Sequence, residues 1–73
     1  MSMHRFIHCE DGSFLLVANI TRIFITEDTI TKTSEIKAST LGPAMPFTLG
    51  RYDGRLNATL ALAEIITALE TDD

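Results

Sequence analysis

Arg55-Leu56-Asn57-Ala58-Thr59-Leu60-Ala61-Leu62-Ala63-Glu64-Ile65-Ile66-Thr67-Ala68-Leu69-Glu70 is the stretch on which the fold turns. Ala58, Ala61, Leu62, Ile65, Ile66 and Leu69 recur at three- and four-residue steps, which draws an apolar stripe along an α-helix. Asn57 or Asp53 is placed to cap its start. Glu70, Asp72 and Asp73 fall at the negative end of the helix dipole, so the last turn is expected to fray. An apolar stripe has to be buried, and the surface to bury it must come from what precedes the helix.

Working back from Asp53-Gly54, which breaks the pattern, Met45 to Tyr52 reads as extended. Met45, Phe47, Leu49 and Arg51 share one face, and Pro46, lacking an N–H, confines the piece to an edge or a strand start. Ala38 to Ala44, with Leu41-Gly42-Pro43, is a loop. Thr29 to Lys37 is rich in β-branched residues and reads as a strand. One face carries Ile30, Lys32, Ser34 and Ile36 and is only half apolar, which predicts an edge position or a twisted strand. Glu27-Asp28 is a turn candidate before it.

Arg22 to Thr26 is a further strand. Between Ala18 and Arg22 period two fails, the Ile20-to-Ile23 step is helical, and Asn19 can cap one short turn there. The first two runs, Met3 to Cys9 and Phe14 to Val17, flank Glu10-Asp11-Gly12-Ser13 and form a hairpin. The expected fold is therefore α+β in one domain, residues 1–73: a small antiparallel sheet of about four strands packed by one C-terminal helix, ββββα. Phe6, Ile7, Phe14, Val17, Ile20, Ile23, Ile25, Ile30, Phe47 and Leu49 are its expected core.

The chain has 73 residues, 45% of them hydrophobic and 22% charged, which is globular composition rather than disorder. Six Lys and Arg face ten acids, a net charge of −4. Phosphate neutralisation supplies most nucleic-acid affinity, so that class of partner is disfavoured, and Arg22, Arg51 and Arg55 are candidates for a local basic patch. Cys9 is the sole cysteine, no run approaches the ~18 residues of a membrane span, and the first residues lack a signal-peptide core. The expected location is the cytoplasm.

Chemistry has few candidates. His4, His8, Cys9, Glu10 and Asp11 belong to metal-ligand types, yet in a strand His4 and His8 stand about 13 Å apart, too far for one zinc. Cys9 beside His8 satisfies a nucleophile–base pair in composition but not in direction, because strand neighbours point to opposite faces. Gly50 to Gly54 lacks the spacing and lysine of a phosphate loop. No catalytic, metal or cofactor site is expected.

Leu56 and Leu60 are the exception to a clean pattern. They lie on the helix face away from the stripe, where they are either covered by the Leu41-Gly42-Pro43 loop or exposed as half of an interface. Leu49-Gly50-Arg51-Tyr52, followed by Asn57-Ala58 and Leu62-Ala63-Glu64-Ile65, resembles a group of small uncharacterised proteins common in phages and prophages. Those begin with a strand ending in an Asp-Gly turn, as Phe6 to Gly12 does, and end in an L-G-x-Y strand before an Ala/Leu/Ile-striped helix. The hairpin and the Asn19-to-Ile23 bend are also similar to small flagellar proteins of the FlbD type, although this chain lacks a basic C-terminus and adds the Leu41-Gly42-Pro43 loop. The resemblance implies a bacterial or phage protein and carries no catalytic residue.

The expected function is a non-enzymatic interaction domain, homodimeric or bound to another protein. It would dock through Leu56 and Leu60, or by augmenting a sheet edge. An acidic phage-type inhibitor of a host nucleic-acid-binding protein is the alternative. A small enzyme or ligand-binding domain ranks third and would need a deep pocket holding His4 or His8 with a carboxylate.

Overall fold

Asp11 and Gly12 set the first turn of the chain. In the computed structural model, which describes residues 5–70, β1 (Phe6–His8) and β2 (Phe14–Leu16) pair antiparallel around them. The Asp11 carboxylate accepts the Ser13 N–H at 2.9 Å and the Ser13 hydroxyl at 2.6 Å. Gly12 sits at φ 94°, the left-handed conformation that closes a three-residue hairpin loop and that glycine adopts without a Cβ clash. The register places Ile7 opposite Leu15 on one face, and Phe6 opposite Leu16 and His8 opposite Phe14 on the other. Ile7 and Leu15 turn inward, so Phe6 and Phe14 leave the expected core and stay exposed.

The bend is one 3-10 turn, Val17–Asn19, whose N-cap position falls on Leu16 rather than Asn19. β3 (Ile20–Asp28) follows at once and pairs with β4 (Thr33–Thr40), which pairs with β5 (Phe47–Asp53), all antiparallel. The architecture is thus α+β, with five strands in two sheets among the described residues, where about four in one sheet were expected. The strand that was expected at an edge is the central one. Its start moves because an Asp28 carboxylate oxygen accepts the N–H of Ile30 at 2.9 Å and of Thr31 at 3.4 Å, while the Lys32 N–H donates to the Asp28 carbonyl at 2.7 Å. Thr29 to Lys32 therefore form the loop, and Ile30 stands at its tip, 89% exposed, instead of in the core. From Thr33 onward the alternation is clean, with Ser34, Ile36 and Ala38 fully buried on one face.

α1 (Arg55–Glu70) lies on that face, against β4 and β5 and more lightly against β3. Ala58 is buried, and Ala61, Leu62, Ile65 and Leu69 are half-buried, which is the expected stripe without Ile66. Neither expected cap accepts a helix amide. The Asn57 side-chain amide instead donates to the Asp53 carbonyl at 2.7 Å. The far end, where the sequence led us to expect fraying, meets a cation: the Arg5 guanidinium donates to the carbonyls of Leu69 at 2.6 Å and Ala68 at 2.7 Å. A cation on the last carbonyls is the arrangement the helix dipole favours. Under the C-terminal half, Cys9, Leu15 and Ala38 form a buried cluster, joined by Ile7, Ile20, Ile23, Phe47 and Leu49.

Candidate functional site

Among the described residues five apolar side chains are buried, Cys9, Leu15, Ile36, Ala38 and Ala58, while eight large hydrophobic ones are exposed. That imbalance is the most conspicuous chemistry the chain offers. Leu56 is 73% and Leu60 57% exposed. With Ala63 and Thr67 they follow four- and three-residue steps, a second stripe on the outer side of α1.

The Leu41-Gly42-Pro43 loop does not cover them. It is tied to the bend by the Leu41 N–H, which donates to the Asn19 carbonyl at 3.1 Å. There Leu41 joins Phe6, Phe14, Leu16, Ala44 and Phe47 around an open groove of about 450 Å³. This groove was missed because Phe6 and Phe14 read as core. The three-residue loop length was the available signal, since it sets the register that puts Phe6, His8, Phe14 and Leu16 on one face. A smaller groove, about 290 Å³, runs between α1 and β3 and is lined by Ile20, Ile23, Ile66 and Leu69 among others.

Polar groups are largely matched to one another. On the sheet face away from α1, Arg51 bridges Glu10 at 3.1 Å and Glu35 at 3.0 Å, and Lys37 meets Glu35 at 3.3 Å and the Thr48 hydroxyl at 3.2 Å. Arg55 lies 3.7 Å from Glu27, and the Arg22 guanidinium stands 4.8 Å from the centre of the Phe24 ring. The three arginines that could have made a basic patch are each engaged by an acid or a ring. Hydrogen bonds from the Ser13 hydroxyl and N–H hold the Asp11 carboxyl below its ordinary pKa, and the amides of Ile30 and Thr31 do the same for Asp28. Both shifts stem from turn geometry rather than from a cleft.

His8 stacks on Phe14 with ring centres 4.8 Å apart and is exposed, while its neighbour Cys9 is 2% exposed, facing the core. The two point apart, as alternation requires, and His4 lies outside the described residues. No group of three or more His, Cys, Asp and Glu that could hold a metal ion occurs among the described residues, and no helix there is long and apolar enough to cross a membrane. No family model matches the chain, and neither a curated protein nor a solved structure is found to match it.

Proposed function

We propose that this chain is a non-enzymatic protein-interaction module that works as a homodimer, with Leu56 and Leu60 at the centre of a docking face on α1. The observation that carries the reading is the placement of apolar side chains: among the described residues five hydrophobic ones are buried and eight large ones are exposed. Leu56 and Leu60 are one turn apart on α1, and neighbouring exposed apolar side chains are one mark of an association site. The acidic-inhibitor alternative draws less support, because Glu10, Glu35 and Glu27 are each paired with an arginine and Asp11 and Asp28 hold turns.

The experiment is the solution mass of wild type and of Leu60→Arg across a concentration series. A dimer that the substitution dissociates supports the helix-centred contact. An unchanged mass at every concentration removes Leu60 from the interface. A pull-down from lysate with the same two proteins then tells a self-contact from a contact with another protein.

A further inference from the structure

We propose that β3 is the seam of a two-fold dimer, pairing antiparallel with β3 of a second copy and joining the two three-stranded sheets into one of six. The inference rests on the reading of the chain as a self-associating module but moves the self-contact to β3, which leaves the Leu56 and Leu60 face of α1 to meet another protein. β3 is bonded to β4 along one edge only, and among the described residues no backbone hydrogen bond meets its outer edge between Thr21 and Glu27. The opposite edge of the sheet is protected. β5 begins behind Pro46, its ladder is broken by a register shift at Leu49, and its Thr48 carbonyl accepts the Glu10 N–H at 2.9 Å. Proline, bulges and covering chain are the means by which edge strands avoid pairing. From Arg22 to Asp28 the β3 ladder is regular, and it contains neither proline nor lysine.

The strand itself indicates a second copy as its partner. A two-fold contact must be complementary to itself, and Ile23-Phe24-Ile25 reads the same in both directions. With the axis at Phe24, Ile23 stands opposite the partner's Ile25 on the helix face, and Phe24 opposite the partner's Phe24 on the other face. Arg22 then faces the partner's Thr26, with the partner's Asp28 on the diagonal, a distance long side chains span. Charge agrees with this direction. Arg22 lies at one end of the strand and Glu27 and Asp28 at the other, so antiparallel pairing sets basic against acidic ends, and parallel pairing sets like against like. Ile23, Phe24 and Ile25 are all half-buried, so the edge is apolar on both faces. Ile66, 37% exposed, adds apolar surface beside it.

The test is sedimentation equilibrium on the full chain, with circular dichroism to monitor folding. Wild type is expected to dimerise, and Thr26→Lys to raise the monomer–dimer midpoint about tenfold or more, because its ammonium meets Arg22 of the partner. Arg22→Glu mixed with Thr26→Lys is expected to form a heterodimer, a rescue that mere loss of folding cannot produce. Hydrogen exchange of wild type needs no variant: β3 amides should gain protection as concentration rises. A dimer that persists in Thr26→Lys, or one whose concentration-dependent protection falls on α1 around Leu56 and Leu60, overturns the seam and leaves the module reading standing. A wild type that is monomeric throughout overturns the seam and the homodimer together.

Discussion

Lys32 is the one described residue other than glycine with a positive φ, 59°, and it closes the β3–β4 loop through its N–H bond to the Asp28 carbonyl. An L-residue in that conformation is strained by the approach of Cβ to the backbone, and glycine is not. Because the Lys32 side chain is exposed, Lys32→Gly is expected to raise stability by up to about 1 kcal/mol after the entropy of a freer unfolded chain is subtracted. The check is the denaturant midpoint at unchanged slope. Ser34 poses the opposite problem. Its hydroxyl is fully buried on the helix face of β4 with no hydrogen-bond partner among the described residues. An unsatisfied buried hydroxyl costs about 1–3 kcal/mol, so Ser34→Ala is expected to be neutral or to stabilise by about 1 kcal/mol. A thermal midpoint that falls instead would mean that the hydroxyl has a partner.

At the scale of elements, α1 and β5 show where pattern reading succeeds and where it stops. The helix bounds, Arg55 to Glu70, follow from the stripe, because an amphipathic helix carries its own period. The group that holds its C-terminal end does not, because the Arg5 clamp joins residues 64 positions apart. Arg5→Ala is expected to destabilise by about 1–2 kcal/mol and to free the last turn, visible as faster amide exchange near Leu69. Wild-type exchange rates there would show that the clamp is dispensable. In β5 the Leu49-Gly50-Arg51-Tyr52 run has a local physical reason. A Cβ at Gly50 would lie 2.8 Å from the Tyr52 hydroxyl oxygen and 3.0 Å from a ring carbon, so the tyrosine ring occupies the space above the glycine. Gly50→Ala is expected to displace that ring and cost about 1–2 kcal/mol, with Tyr52 fluorescence reporting the new environment. Thr29-Ile30-Thr31 misled for a related reason. β-branched composition favours strand, but one aspartate side chain capping two amides redirected the backbone, and strand order then changed with it.

For the whole molecule the balance between core and surface decides. The radius of gyration is 12.6 Å, against about 11 Å for a compact chain of this length, and the extents are 42 × 28 × 20 Å. An elongated chain buries less, and for 73 residues burial and ordering entropy already nearly cancel. That Leu56 and Leu60 lie off the stripe was legible in sequence from helical phase alone, but their exposure was not, because helical phase does not say where the Leu41-Gly42-Pro43 loop goes. The open β3 edge was not, because strand order is a long-range property that alternation does not encode. An associating chain with so thin a core should draw measurable stability from its partner copy. Unfolding of a dimer to separate chains makes the midpoint temperature depend on concentration, each tenfold increase adding about 1.4 kcal/mol to the dimer. For two copies of this length that corresponds to a rise of about 3–6 °C per decade. Calorimetry across a concentration series reads this directly, and Thr26→Lys separates the sources. If β3 is the seam, the variant melts below wild type wherever wild type is dimeric, with its midpoint curve moved to about tenfold or more higher concentration. A midpoint that stays constant in wild type would mean that the small core suffices by itself and that the exposed leucines and phenylalanines serve something other than self-association.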